Sequence, residues 1–216
     1  LEALKNVKLI VEKEFNENEP LIVVCSAFSG ITNSLLLSAE EALLQNDFSE
    51  ILKVAEEKHY QIISGLLPRT LQNPLLMMVK VSFNEIEDVL FSVKNLGELS
   101  DRIKDRLLSY GEQMSSKIVS AFLQSEGFPA VFQDSRKLIA TDSHFGNANV
   151  DSKKTNENLK NWKLENQIYV VTGFIAKDKN DDTTTLGRGG SDYTAAILGS
   201  GLKADEIQIW TDVDGF

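Results

Sequence analysis

The glycine-rich segment 187–192 (GRGGSD) contains the residue types best suited to hold a small charged ligand. Its glycines let the backbone approach a ligand closely, and the planar guanidinium of Arg188 matches a carboxylate or a phosphate. Asp192 is predicted to cap the helix that follows, and it could take part in metal or phosphate chemistry. A tight loop with a surface arginine and a helix N-cap is the alternative. The segment is neither a Walker A loop nor a dinucleotide fingerprint, because the required spacings are missing.

A second candidate is Glu112, which follows Gly111 inside a helical pattern. Glycine within a helix costs about 1 kcal/mol relative to alanine, so close backbone packing or a ligand is expected there. Glu112 could bind an ammonium group, and the alternative is an exposed helical glutamate. Near the end of the sequence, Asp212 and Asp214 follow a strand-like run. An Asp-Gly turn explains half of that segment without any function.

The remaining residues that often carry chemistry are assigned structural roles. Cys25 is the single cysteine and lies in a predicted buried strand with no histidine nearby in sequence, which favours a core residue over a nucleophile. His59 and His144 have no partners at metal-ligand spacing, so no zinc site is predicted. Trp162 and Trp210 are interpreted as core aromatic residues.

Short apolar runs predict the strands that position these candidates. Residues 21–26, 168–172 and 207–210 are predicted to be buried strands of a parallel sheet, residues 130–133 a further strand, and residues 176–185 a polar loop. Helical patterns cover residues 1–11, 34–67, 79–94, 101–124 and 152–162, and another begins at residue 193. Pro68 and Pro74 are predicted to break the helical run, and Thr32 or Asn33 to cap the helix after the first strand.

The alternation of strands and helices predicts an α/β fold with a mostly parallel central sheet and a helical insertion over about 34–106. In such sheets, ligands bind beyond the carboxyl ends of the strands. Residues 26–33, 172–173 and 211–215 are therefore expected on one rim, with residues 187–192 facing the same cleft. Helix N-termini at this rim favour anions.

Composition narrows the functional classes. The 216 residues are 42% hydrophobic and 25% charged, as expected for one sizeable globular domain. A formal net charge of −10 argues against a surface for nucleic acid or anionic lipid. The apolar runs are too short to span a bilayer, and no signal peptide is recognised. A single cysteine favours a reducing compartment, so a cytoplasmic location is expected.

Several motifs together resemble the aspartate kinase branch of the amino-acid kinase family. They are SAFSGITN at 26–33, SYGEQMSS at 109–116, GFI at 173–175, TTTLGRGGSDYTAA at 183–196 and IWTDVDG at 209–215. The resemblance is dense over 21–33, 107–151 and 168–216. It implies the three-layer sandwich of that family, also called carbamate kinase-like.

The resemblance implies a reaction and a role for each residue. The enzyme would transfer phosphate from ATP, with Mg²⁺, to the side chain of L-aspartate, in the first step of lysine, threonine and methionine biosynthesis. Arg188 would hold the α-carboxylate, Glu112 the amino group, and Asp192 the substrate and the transferring phosphoryl group. The other substrate-binding residues would be Ser26, Ala27, Thr32 and Ser191. The nucleotide-binding residues would be Phe174, Thr211 and Asp212.

The sequence also departs from the family pattern. The N-terminal KFGGTS strand, with its phosphate-binding lysine, and the C-terminal ACT domains are absent from these 216 residues. We therefore expect a partial catalytic domain with little or no kinase activity alone, belonging to a full-length protein that is a homo-oligomer. Monofunctional and homoserine dehydrogenase-fused parents both fit. The rival functions are a kinase of the same fold acting on glutamate, acetylglutamate or a nucleotide, and a non-catalytic ligand-sensing module.

Overall fold

The computed structural model describes residues 2–210, and its main sheet is parallel with strand order β1-β3-β2. The strands of this sheet are β1 (Leu21–Cys25), β2 (Ala130–Gln133) and β3 (Ile168–Thr172), and a hairpin adds β4 (Ile175–Lys177) and β5 (Thr183–Thr185). The helices are α1 (Glu2–Glu14), α2 (Ile31–Leu43), α3 (Ser49–Leu66), α4 (Arg69–Leu96), α5 (Asp101–Ser125), α6 (Ser152–Asn161) and α7 (Gly190–Leu202). Within the sheet, Leu21 pairs with Ile168 and Cys25 with Thr172, so β1 and β3 end at the same rim.

The side chains of β3 alternate between two layers of helices. Ile168 and Val170 pack with residues of α1 and α5 on one face. Tyr169 and Val171 pack with residues of α6 and α7 on the other face. All five residues of β3 are buried, as the uninterrupted apolar run predicts for a strand covered on both faces. The predicted α/β class and three-layer sandwich are confirmed.

Helices α2 to α5 share a second core, which lies beside the sheet. Its largest fully buried side chains include Leu35 of α2, Ile63 of α3, Ile86 and Leu90 of α4, and Met114 of α5. The helical prediction for 34–67 was wrong at its centre, because α2 ends at Leu43 and Gln45 takes a positive φ of 66°. Pro68 ends the run as predicted. Pro74 does not, since it lies inside α4, whose apolar face offsets the missing backbone hydrogen bond.

Three strand and loop predictions need correction. Residues 176–185 were predicted to be a loop, but residues 175–177 and 183–185 pair as an antiparallel hairpin. Residues 207–210 were predicted to be a buried strand, but they have no regular structure, and Trp210 is 64% exposed. Ile207 packs against Gly199 of α7, whereas none of the described elements covers Ile209 or Trp210. The residues of β1 are only partly buried, because within residues 2–210 this strand stands at the edge of the sheet.

Among residues 2–210, no helix combines the length and the apolar character that crossing a bilayer requires.

Candidate active site

A cavity of about 320 Å³ opens where β1 and β3 end and α7 begins. The predicted site residues that line it are Ser26, Thr32, Glu112, Phe174, Arg188, Ser191 and Asp192. Ala27 does not line it, but its backbone contacts Glu112. Thr211 and Asp212, which were predicted to lie beside a nucleotide, are outside the described residues. The structure thus brings together segments that are far apart in sequence, while the role of each residue stays a prediction.

Glu112 is the buried acid of this cavity, with only 3% of its surface exposed. Its Oε1 accepts a hydrogen bond from the backbone N–H of Ala27 at 3.4 Å. Its Oε2 has no hydrogen-bond partner within the described part of the chain. Desolvation raises the pKa of Glu112 to about 7, against a partial lowering by the Ala27 hydrogen bond. Glu112 is therefore not an exposed helical glutamate, and it gains its charge near neutral pH.

Gly111 explains how α5 reaches the loop after β1. A Cβ at this position would lie 2.9 Å from Cβ of Ala27 and 3.4 Å from Cγ2 of Ile31, which is too close for packing without a shift. On the next turn of α5, the hydroxyl of Ser115 donates to the backbone carbonyl of Ser26 at 2.7 Å. The helix and the loop are thereby held together at the position of Glu112.

The start of α7 forms the opposite wall. Gly189, at φ 71°, is the N-cap residue, and no side chain caps the helix. The prediction that Asp192 caps α7 was therefore wrong, and Asp192 lies in the first turn, where a carboxylate favours the helix dipole. Thr32 and Asn33 were wrong as caps for the same reason, because Gly30, at φ 81°, is the N-cap of α2. Glycine adopts these left-handed conformations without strain.

Close packing fixes α7 against the ends of the strands. The Ser26 hydroxyl donates to Oγ of Ser191 at 2.8 Å, which joins the end of β1 to α7. A Cβ on Gly173 would lie 2.7 Å from Cβ of Ser191, and a Cβ on Gly190 would lie 2.7 Å from Cδ2 of Phe174. Phe174 itself has a positive φ of 66°. Its backbone N–H donates to Thr194 at 3.0 Å, which places its ring at the cavity.

The only cationic side chain that lines the cavity in the described residues is Arg188, which is exposed. Arg136, for which the sequence held no signal, lies nearby but is fully engaged. Its guanidinium donates to Asp134 at 2.6 Å, to Oγ1 of Thr183 at 3.0 Å and to Oε1 of Gln113 at 2.9 Å. Arg136 thus connects the end of β2 and strand β5 to helix α5 at Gln113, the residue that follows Glu112.

Cys25 and His59 behave as structural residues. The Cys25 residue is partly exposed, but desolvation of its thiol raises the pKa to about 12, which makes it a poor nucleophile. His59 is fully buried between the rings of Phe28 and Phe83, at centroid distances of 5.5 and 5.6 Å. Its Nδ1 lies 2.8 Å from the carbonyl oxygen of Ala55, and burial lowers its pKa. Among residues 2–210, no three histidine, cysteine or acidic side chains gather as metal ligands would.

Comparison with known proteins decides the family. Residues 1–216 match the sequence model of the Amino acid kinase family. The chain belongs to the amino acid kinase family.

Relatives within the amino acid kinase family are aspartokinases. Aspartokinase 3, chloroplastic, of Arabidopsis thaliana is 36% identical over 96% of this chain and 37% of that protein. The bifunctional aspartokinase/homoserine dehydrogenase of Buchnera aphidicola is 31% identical over 99% of this chain and 27% of that protein. The crystal structure of E. coli aspartokinase III in complex with aspartate and ADP superposes with a TM-score of 0.89, at 30% identity over 99% of this chain and 46% of the other. The chain spans less than half the length of each of these relatives.

Proposed function

We propose that this chain forms the catalytic part of an aspartate kinase, which converts ATP and L-aspartate into ADP and 4-phospho-L-aspartate. One observation carries the proposal. A buried glutamate with a free carboxylate oxygen and an exposed arginine line the same small cavity. These two charges are complementary to the ammonium and the α-carboxylate of an amino acid. The aspartokinase relatives support the choice of aspartate.

Each end of the amino acid would meet a different element. The planar fork of Arg188 would bind the α-carboxylate through two parallel hydrogen bonds. Oε2 of Glu112 would accept from the ammonium, and the Ala27 N–H holds the other oxygen in place. The hydroxyl groups of Ser26, Thr32 and Ser191 line the same cavity and would orient the side-chain carboxylate.

Phosphoryl transfer requires little covalent chemistry from the protein. The attacking carboxylate of aspartate is ionised at neutral pH, so no general base is needed. The protein would hold the acceptor in line with the γ-phosphorus and neutralise the developing charge. The N-terminus of α7, which begins at the cavity wall, favours phosphate oxygens. Phe174 would lie beside the nucleotide, together with Thr211 and Asp212.

The cavity fits a nucleotide-bound Mg²⁺ better than a metal held by protein alone. Mg²⁺ is usually bound by one or two carboxylates together with substrate phosphates. Asp192 is an exposed carboxylate on the cavity wall and would be the ligand from this chain. When bound, the ion neutralises charge on the phosphates.

The cellular setting is also part of the proposal. A single cysteine and the use of ATP and free aspartate favour the cytoplasm. Homo-oligomerisation of the full-length protein stays a prediction, which light scattering on the purified protein would test. Little turnover by residues 1–216 alone also stays a prediction, supported by the single cationic side chain at the cavity in the described residues.

The experiment is a substrate panel that measures ADP release by the intact protein carrying this chain. L-aspartate is expected to support turnover, whereas L-glutamate, N-acetylglutamate and nucleoside monophosphates are not. Turnover with another acceptor instead would identify a different kinase of this fold. A non-catalytic module would release no ADP and would bind neither aspartate nor ATP in calorimetry.

Arg188→Ala tests the assigned carboxylate contact. Loss of a charged hydrogen-bonded pair, at about 1.5–3 kcal/mol, is expected to raise the KM for aspartate on the order of 10- to 100-fold with little change in the KM for ATP. Arg69→Ala is the matched control, because Arg69 is exposed at the start of α4 and is not one of the residues that line the cavity. An unchanged KM for aspartate in Arg188→Ala would show that the contact is wrongly assigned.

A further inference from the structure

A second buried acid on α5 lies outside the cavity. Asp105 is only 1% exposed, and its carboxylate accepts three hydrogen bonds. Oδ2 accepts from the backbone N–H groups of Gly146 and Thr185, both at 2.9 Å. Oδ1 accepts from the hydroxyl of Thr185 at 2.8 Å. Asp105 therefore joins α5 to strand β5 and to the loop that contains Gly146.

The positions of these partners relate Asp105 to the ligand-facing charges. Asp105 and Glu112 are seven residues apart on α5, which is about 10.5 Å along the axis and places them on the same face. Thr185 precedes Arg188 by three residues. The carboxylate of Asp105 thus connects helix α5, which carries Glu112, to strand β5, which leads to Arg188.

The loop around Gly146 extends this connection toward Arg188. The backbone N–H of Ala148 donates to the carbonyl of Thr185 at 2.9 Å. The side chain of Asn147 packs directly against Gly187, where a Cβ would lie only 3.1 Å from Cγ of Asn147. Gly187 has a positive φ of 74° and immediately precedes Arg188. The loop that Asp105 holds therefore packs against the backbone of Gly187, which leads directly to the guanidinium of Arg188.

We propose that Asp105 is a positioning residue for amino-acid binding, which sets the separation between the carboxylate of Glu112 and the guanidinium of Arg188. Asp105 does not line the cavity and has no ion-pair partner in the described part of the chain. A buried charge without a cation is costly, and hydrogen bonds offset that cost only if all are made. Desolvation raises the pKa of Asp105, while its hydrogen bonds to Gly146 and Thr185 lower it. The three hydrogen bonds that Asp105 accepts fix the position of α5 relative to β5 and the Gly146 loop, which explains why an acid occupies this buried position.

The inference rests on the proposed aspartate kinase activity, and Asp105→Leu in the intact protein tests it. Leucine has a similar volume but no hydrogen-bond acceptor, so all three hydrogen bonds to Gly146 and Thr185 are lost. Glu112 and Arg188 would bind opposite ends of the same amino acid, so a shift of about 1 Å between them would misplace one of the two contacts. We expect the KM for aspartate to rise at least about tenfold, with kcat and the KM for ATP within about threefold of the wild-type values.

Thr155→Val is the matched control for a purely structural effect. Thr155 is 2% exposed on α6, its hydroxyl accepts from the N–H of Ala140 at 3.1 Å, and neither residue lines the cavity. We expect this variant to lower Tm without changing the KM for aspartate. If Asp105→Leu lowers Tm and leaves the KM for aspartate unchanged, Asp105 is only structural and the proposal is overturned.

A second variant keeps the test decisive if Asp105→Leu does not fold. Thr185→Val removes one of the three hydrogen bonds and keeps the two backbone bonds to Asp105, so a smaller rise in the KM for aspartate is expected. No rise in this variant would overturn the proposal. Failure of the underlying activity is distinguishable, because the wild-type protein would then release no ADP with aspartate.

Discussion

Glu112→Gln is expected to stabilise the free protein above pH 7 while weakening its binding of aspartate. Burial holds the pKa of Glu112 at about 7, compared with 4.5 for an ordinary glutamate. Between these two pH values, the unfolded chain has released the proton and the folded protein still binds it. The unfolded state then binds fewer protons, so the free energy of unfolding falls as pH rises from 4.5 to about 7. Glutamine has no such titration.

The size of the effect follows from the pKa difference. At about 1.4 kcal/mol for each pKa unit, the rise from 4.5 to about 7 corresponds to about 3 kcal/mol. Above pH 7, ionisation of Glu112 therefore lowers the free energy of unfolding of the ligand-free protein by about 3 kcal/mol. Below pH 4.5 this loss approaches zero. Oε2 has no partner among the described residues, so the protein atoms offset this loss only through the backbone N–H groups of Glu112 itself and of Ala27.

The same substitution removes the proposed contact with the ammonium of aspartate. Loss of a hydrogen bond between charged groups costs about 1.5–3 kcal/mol, so the KM for aspartate is expected to rise on the order of 10- to 100-fold. In the wild-type protein, the KM for aspartate should fall as pH rises toward 7, because ammonium binding requires the ionised carboxylate. In Glu112→Gln this pH dependence should disappear.

Urea unfolding at pH 5 and at pH 8.5 measures the first effect, and aspartate titrations across the same range measure the second. The stabilisation by glutamine should be about 3 kcal/mol at pH 8.5 and much smaller at pH 5. Glu40→Gln, on the exposed side of α2, is the control and should change neither quantity. Equal stability of Glu112→Gln and wild type at both pH values would refute the reasoning about burial.

Two further predictions concern packing and reactivity. Gly190→Ala should lower the stability by about 1–3 kcal/mol in thermal unfolding, because the new methyl group would lie 2.7 Å from the Phe174 ring. Ser200→Ala, exposed on the same helix, should have no such effect, and an unchanged Tm in Gly190→Ala would contradict the packing. Cys25, with a pKa of about 12, should react with iodoacetamide at pH 8 on the order of 1000-fold more slowly in the folded protein than in urea, because the reactive thiolate fraction falls about tenfold for each pKa unit. Equal rates would show that the thiol is not desolvated.

Elements with a strong local signal were predictable. The run at β3 is apolar and β-branched at every position before Thr172 except Tyr169, which is typical of a strand covered on both faces. Helix α6 was predictable because Asp151 caps it, accepting from the N–H of Lys154 at 2.9 Å. Such signals lie within a few residues of each other, so no knowledge of the tertiary structure is needed.

Elements that depend on distant partners were not predictable. The three threonines of β5 form a strand only because the chain reverses after β4 and pairs them with Ile175–Lys177. The apolar residues at 207–210 resemble a buried strand, but burial requires a covering element, and none of the described elements covers Ile209 or Trp210. Glycine caps were missed because the left-handed conformation of Gly30 and Gly189 is set by the surrounding chain.

By itself, the sequence determined the parallel α/β architecture and the candidate residues of the site. Strand and helix periodicity is local, and parallel strands must end at a common rim, which brings Ser26 and the residues after Thr172 together. The tertiary structure decided which charges matter there. Glu112 and Asp105 have the same pattern in the sequence as exposed helical acids, and only the neighbours packed around them remove water. Desolvation and hydrogen-bond partners are properties of those neighbours. The raised pKa of Glu112 and the hydrogen bonds from Thr185 to Asp105 therefore exist only in the folded chain.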